Sequence, residues 1–323
     1  MPIVAVSGYR APLFFSNSHL QTIFPSIFRK VDGVKYDRER LTTPDDDFLD
    51  IDWSRVDSRR LCIVLHGLEG DSRRSYIKGM VRALNRRGWD ALAVNFRGCS
   101  EEPNRQSRMY HSGETGDLDF VIKHVMSSGA YNELALIGFS LGGNVILKYL
   151  GESGPNPAAG LKAAVTLSVP CDLKACSDKL EQLSNRGYSQ RFLKMLRKKI
   201  QKKAVLYPDT VRASGLDAVK TLKEFDDQYT APLHGFRDAD EYYRCSSSKQ
   251  FLPFINIPTL MISAADDPFL ARECYPSQQA DKHNWLHLEV PKHGGHVGFV
   301  SFNQSGEYWS EIRATEFISD FMD

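Results

Sequence analysis

Ser140 lies between Gly138 and Gly142 in the stretch LALIGFSLGGNVILKYL, residues 134–150. A serine hydroxyl is a weak nucleophile at neutral pH unless a base removes its proton and an acid orients that base. Glycines two residues either side of a serine suit a chain that turns at one residue from strand to helix. The turning residue takes strained φ/ψ, and side chains two positions away would collide with the turn. The outcome is an exposed hydroxyl at the head of a helix, the G-x-S-x-G elbow. An ordinary glycine-rich turn shares the pattern, so the flanks matter. Leu134 to Ile137 reads as a short buried strand, and Val145, Ile146, Tyr149 and Leu150 recur at helical spacing. That context favours the elbow.

Partners for such a serine follow downstream. LMISAADDPF offers an acid at a strand end, and VPKHGGHVGF offers a histidine just after the next strand. Loops at the carboxyl ends of parallel strands are where sites on open sheets form. Asp266 and Asp267 are adjacent, and a loop aims only one of them at a base. Asp267 is preferred because Pro268 fixes the turn behind it. Asp266 is then a loop residue that caps or pairs nearby. His293 and His296 compete in the same way. His296 sits in a glycine-rich loop able to bring its ring over the serine, and His293 is read as a surface residue. H-x-x-H here lacks the helix and the glutamate of a zinc-protease motif, so no metal is expected. The backbone N–H groups of Leu141 at the elbow and Leu68 in VLHGLEGDS are the expected oxyanion donors. His66 is read as bracing that loop through hydrogen bonds. This chemistry needs no cofactor.

These residues require a scaffold of strands and helices. RERLTTPDDDFLDIDWS holds two alternating runs about a turn, a hairpin at a sheet edge. Leu61 to Leu65 is a continuous apolar run, as in a strand buried on both faces. A helix carrying Ile77, Val81 and Leu84 follows, with Gly88 as its stop. Strands at Trp89 to Val94 and Ala163 to Leu167 and a helix with Leu118, Val121, Ile122 and Val125 extend the alternation. It breaks near residue 172 and resumes at Pro258 with TLMISAADD and WLHLEV, before a closing helix over 307–322. This predicts an α/β fold, a mostly parallel central sheet with helices on both faces. Residues 175–250, helical and polar, form a cap insertion in a single domain spanning 1–323. Residues 1–35 read as irregular and wrapped on the core.

The chain has 323 residues, 42% of them hydrophobic, and a net charge of +1. That balance points to neither nucleic acid nor an acidic partner. Six cysteines show no C-x-x-C pair, which suits a reducing compartment, and Cys62 reads as a small core residue. The N-terminus lacks a signal-peptide pattern, and no apolar stretch approaches the roughly 20 residues that span a bilayer. A soluble cytoplasmic protein is expected. RFLKMLRKKIQKK, residues 191–203, would lay a basic cap helix on an anionic membrane. The commoner fate is to pack its apolar side on the protein and solvate its charges. Arg97 in NFRG reads as part of a structural turn, and His111 as a hydrogen-bonded loop residue near the site.

The motifs HGLEG, NFRGCS, GFSLGGN, AADDPF and HGGHVGF resemble the α/β-hydrolase superfamily. NSHLQTIFPSIFR, EPNRQSRMYHSGETGDL and LKYLGE further resemble its YheT-like branch of bacteria, related to the eukaryotic ABHD one-to-three group, over nearly the whole chain. The resemblance implies Ser140 as nucleophile, Asp267 as acid and His296 as base. It also implies ester hydrolysis, with acyl lipids as substrates in eukaryotic relatives. Two positions depart from the pattern: Glu101 replaces a glycine and Glu69 a small polar residue. Glu69 would place a carboxylate beside the oxyanion loop and disfavour anionic substrates. The expected activity is cleavage of short- to medium-chain acyl esters, with Phe192, Leu193, Leu196, Phe225 and Phe236 lining an acyl pocket. Amidase, thioesterase and acyltransferase chemistry use the same three residues, and a fold kept only for ligand binding is the rival from another class.

Overall fold

The structure is a computed structural model and describes residues 3, 4 and 6–322. Its first regular element is a helix, α1 (Ser18–Phe28), in the stretch whose sequence reads as irregular. The Asn17 side chain caps it by accepting from the Leu20 N–H. Only Gln21 and Pro25 of this helix are buried, while Ile27 and Phe28 are exposed. The buried positions are a glutamine and a proline, so apolar spacing could not report the packed face.

β1 (Asp37–Thr42) and β2 (Phe48–Ser54) form the expected hairpin, with Arg38 opposite Asp52 and Arg40 opposite Asp50. Leu49, Ile51 and Trp53 of β2 enter the core. Asp50 and Asp52 are buried as well, each held by the facing arginine at 2.7 Å. The alternation then runs β3 (Arg60–Leu65), α2 (Ser75–Arg86), β4 (Asp90–Asn95), α3 (Gly116–Ser127), β5 (Glu133–Phe139), α4 (Leu141–Ser153) and β6 (Leu161–Leu167). Five helices follow before the next strand: α5 (Leu173–Leu180), α6 (Arg186–Leu206), α7 (Leu222–Phe225), α8 (Ala231–Leu233) and α9 (Ala239–Ser246). β7 (Thr259–Ile262), α10 (Ser277–Asp281), β8 (Leu286–Glu289) and α11 (Trp309–Ser319) complete the chain.

All eight strands join one sheet in the order β1-β2-β4-β3-β5-β6-β7-β8. β2 is antiparallel to β1 and β4, and the remaining pairs are parallel. Side chains alternate across β3 and β5 into two cores. Ile63, Leu65 and Leu136 pack with α3 and α4 on one face. Cys62, Val64 and Ile137 pack with α2 and α11 on the other. Beyond β8, Ile3 bridges to Leu288 in parallel, and the Val4 N–H donates to the Leu288 carbonyl at 2.9 Å.

Arg97 does more than shape a turn. It is 3% exposed and pairs with Asp117 at 2.7 Å, Asp45 at 2.8 Å and Asp47 at 2.9 Å. The hairpin turn is thereby tied to the first turn of α3. Because β3 to β8 run the same way, the loops at their carboxyl ends meet on one side of the sheet, and the helices between β6 and β7 lie over that side. Leu193, Leu196, Ile200, Phe225 and their neighbours share a cluster with Met109 and Phe269 from the sheet loops.

Candidate active site

β5 delivers Ser140 to the head of α4 with φ 51° and ψ −118°. L-residues rarely adopt that backbone, and such strain concentrates at functional sites. The flanking glycines are a steric demand. A methyl group on Gly138 would stand 2.6 Å from the Gly142 carbonyl oxygen, and one on Gly142 would stand 2.6 Å from that of His66. Among the described residues, eight non-glycine positions have positive φ, and five of them (Glu69, Ser140, Ser168, Val297 and Phe299) lie in loops around this serine.

His296 Nε2 stands 3.0 Å from Ser140 Oγ. Its Nδ1 is 2.9 Å from Asp267 Oδ2 and 3.1 Å from Oδ1. One tautomer serves both contacts: Nδ1–H donates to the carboxylate, leaving Nε2 to accept from the serine hydroxyl. The Asp267 side chain is fully buried and also accepts the Phe269 N–H at 2.9 Å. Asp266 turns the other way. It accepts the Gly295 N–H at 3.0 Å and lies 3.2 Å from His293 Nδ1. The structure therefore brings Ser140, Asp267 and His296 together, and pairs Asp266 with His293 outside the group.

The histidine loop is clamped rather than loose. A methyl group on Gly295 would come within 2.4 Å of the Ser18 carbonyl oxygen, and one on Gly298 within 2.3 Å of that of Gln21. These glycines let the loop press on the backbone of α1. The His296 N–H donates to Thr22 Oγ1 at 2.9 Å, and the Val297 N–H to Ser168 Oγ at 3.0 Å. The imidazole stacks on Phe269 with ring centroids 4.1 Å apart. Thr22, Ser168 and Phe269 had no signal of their own in the sequence, because each acts on a residue more than twenty positions away.

The loop after β3 approaches the serine so closely that a methyl group on Gly67 would lie 3.1 Å from Ser140 Cβ. Its N–H groups are selectively occupied. Gly67 N–H donates to Tyr76 Oη at 3.1 Å, and Glu69 N–H to Tyr110 Oη at 2.8 Å. Among the described residues, the N–H groups of Leu68 and Leu141 have no acceptor. His66 braces the loop as expected. Its Nε2 accepts the Phe96 N–H at 3.2 Å, so Nδ1–H donates to the Gly67 carbonyl at 2.7 Å. Burial pushes its pKa down to about 3, so the ring is neutral.

The charge expected of Glu69 is compensated. Lys199 of α6 reaches its carboxylate at 2.7 Å, and Tyr110 Oη donates to it at 2.8 Å. α6 thus departs from the expectation of a fully solvated charged face: Lys203 is also buried and donates to the Asn104 carbonyl at 2.7 Å. Burial lowers the Lys203 pKa to about 8. Arg191, Lys194, Lys198 and Lys202 are exposed. Glu101 stays at the surface, paired with Arg73 at 2.5 Å and with Arg38.

Two cavities meet at Ser140 and His296. One lies beneath the helices between β6 and β7, with about 130 Å³ of room for the centre of a water-sized sphere. Phe192, Leu196 and Phe225 line it, as expected. Leu193 and Phe236 do not: Leu193 is fully buried in the cluster of α6, and Phe236 packs on His111 and Tyr242. His111 does line the cavity, its Nδ1 accepting the Gly113 N–H at 3.1 Å. The second cavity is lined by Thr22, Ile23 and Arg74 among others.

A family model for the alpha/beta hydrolase fold matches residues 61–302. The chain belongs to the α/β-hydrolase family. Within this family it is 36% identical over 318 residues to YheT of Escherichia coli (strain K12), covering 96% of this chain and 92% of that one. It is 29% identical over 307 residues to phospholipase ABHD3 of Bos taurus, covering 92% and 74%. Among solved structures, the esterase Pf2001 of Pyrococcus furiosus superposes with a TM-score of 0.60 at 17% identity, covering 91% of this chain and 97% of that one. This α/β hydrolase therefore has esterase- and lipase-type relatives, and the YheT-like resemblance holds. Among its described residues, no helix is long and apolar enough to cross a membrane.

Proposed function

We propose that the protein is a serine hydrolase of carboxylic esters, with Ser140 as nucleophile, His296 as general base and Asp267 as the orienting acid. The observation that carries this reading is the continuous contact from Asp267 through His296 to Ser140, at 2.9 and 3.0 Å, beside two N–H groups without acceptors. His296 takes the Ser140 proton as Oγ attacks the ester carbonyl. Leu68 and Leu141 N–H groups hold the resulting oxyanion. The imidazolium returns its proton to the departing alcohol, leaving an acyl-serine. Water then enters along the same path, with His296 again as base, and the acid is released. No step calls on a cofactor.

The two cavities divide the substrate. The acyl chain enters the cavity beneath the cap helices, and the alcohol faces the second one. A mostly apolar pocket beneath these helices favours an acyl chain over a folded protein, because each buried methylene contributes about 0.8 kcal/mol. In this reading the chain is one domain in which residues 175–250 form the cap over the site.

A fluorophosphonate probe tests this directly. It should label the native protein covalently and leave Ser140→Ala unlabelled, with p-nitrophenyl ester hydrolysis lost in the variant. A folded native protein that neither labels nor hydrolyses esters would instead be a binding protein built on this fold.

A further inference from the structure

The cavity beneath the cap helices carries one negative charge that no neighbouring cation balances. Glu69 in its wall is paired with Lys199, but Asp226 is not paired. Asp226 is partly accessible yet deeply surrounded by protein, so the surface it exposes faces the cavity. Its neighbours are hydroxyls. Tyr243 Oη donates to Oδ2 at 2.7 Å. Tyr243 has one phenolic proton, so Ser177 Oγ, 3.1 Å from the same oxygen, acts as donor to it. His111 and His234, in the same wall, are held neutral with pKa values of about 3, chiefly by burial. They supply no compensating charge.

The backbone is unusual at the same point. Between α7 and α8 the helix widens into a π turn over Asp226–Thr230. Such turns are rare and occur frequently at functional sites. Much of the remaining wall is apolar, with Leu173, Leu180, Leu222 and Phe225. Asp226, Tyr243 and Ser177 form one contact group, and Ser140, His296 and Phe269 another. The cavity therefore presents a serine, an apolar wall and a separate acceptor site.

We propose that Asp226 forms a second subsite of this cavity, which takes a hydroxyl or primary ammonium group at the far end of the acyl chain. The proposal rests on the assignment of Ser140 as nucleophile and adds a substrate class to it. The ligand is an acyl ester with a hydrogen-bond donor at its tail, bound most strongly when that donor is cationic. An acyl chain ending in a carboxylate meets like charge and is rejected.

Eight-carbon chains serve as probes because they carry a tail group well away from the ester carbonyl. The test compares p-nitrophenyl esters of octanoate, 8-hydroxyoctanoate, 8-aminooctanoate and octanedioate at about pH 8, where an alkylammonium keeps its charge. In the native protein, kcat/KM should rank ammonium and hydroxyl tails above methyl by about tenfold or more, with the carboxylate tail lowest. In Asp226→Asn, the ammonium-to-methyl ratio should fall at least about tenfold. A purely structural role would lower all four esters together and leave the ratio intact, which overturns the proposal. So does a native protein that prefers octanoate, whether or not the variant folds. If no ester is cleaved, the Ser140 assignment fails by itself. Calorimetry with 8-amino-1-octanol then decides the subsite: tight binding to native protein and weakened binding to Asp226→Asn support it, and no binding overturns it.

Discussion

Gly142 and His66 pack so closely that a single methyl group on Gly142 would stand 2.6 Å from the His66 carbonyl oxygen and 2.7 Å from that of Leu65. The first turn of α4 is thereby set against the loop that follows β3. The two candidate oxyanion donors, Leu141 and Leu68, sit on those two segments. Gly142→Ala should force them apart. We expect a loss of about 1–3 kcal/mol in stability, typical of overpacking, and a fall in kcat of tenfold or more. Gly187→Ala in α6, where an added methyl group meets nothing within 4 Å, is the control: it should leave kcat unchanged and, by helix propensity, raise stability by up to about 1 kcal/mol. Urea unfolding and esterase assays on the two variants decide the matter. Equal behaviour would show that the close approach is dispensable.

The two neighbouring aspartates should separate cleanly. Asp267→Asn exchanges the acceptor of His296 Nδ1–H for a group that can also donate, which favours the wrong tautomer. A loss of about three to four orders of magnitude in kcat is expected. Asp266→Asn keeps an oxygen for the Gly295 N–H and should cost less than about tenfold. The opposite ranking would exchange their roles.

Lys199→Met should leave the Glu69 carboxylate without its cation beside the Leu68 loop. Breaking a fully buried pair costs about 3–5 kcal/mol. Lys199 retains some solvent contact, with 18% of its side-chain surface exposed, so about 1–3 kcal/mol is expected here. Adding Glu69→Gln should recover much of the loss. Thermal melts of both single variants and the double variant measure the coupling, and strictly additive effects would show that the pair contributes nothing.

Mild acid should destabilise the fold. His66, His111 and His234 have pKa values lowered to about 3, against an ordinary value of about 6.5. Below about pH 6.5 the unfolded chain binds protons there that the folded chain does not, so stability present above that pH is lost on acidification. Asp226 acts in the opposite sense. Burial raises its pKa to about 6, so the folded chain binds its proton first and gains stability as pH falls below that value. Three histidines against one aspartate leave about two protons net, or ~2.7 kcal/mol per pH unit between about pH 4 and 6. Urea unfolding across that range gives the slope. A slope near zero would contradict the buried neutral histidines.

The sequence carried the parts of this site that chemistry and sterics fix locally. Gly138 and Gly142 report a turn that only glycine allows, and the order of Ser140, Asp267 and His296 follows the strands that carry them. Strands β3 to β6 were legible because each is an apolar run of the right length. Helix α1 was hidden because its buried positions are Gln21 and Pro25. The inward turn of Lys199 and Lys203 was hidden as well. A lysine on a basic helix looks solvated until the partner on a distant loop, here Glu69 or the Asn104 carbonyl, is in place. The same holds for Thr22 and Ser168, whose hydroxyls matter only once the His296 loop has folded against them.

The margins of the sheet differ in kind. Along β1, Arg38 and Arg40 stand exposed and engaged to buried aspartates of β2. A strand from another molecule that tried to extend the sheet there would set its own side chains beside two guanidinium groups. At the opposite margin, part of the β8 ladder is already taken by Ile3 and Val4. Edge-to-edge growth, the route by which β-rich chains precipitate or form fibrils, is thus opposed by charge at one side and by partial occupancy at the other. The ion pairs that fasten the hairpin also keep crowded copies of the molecule from zipping together.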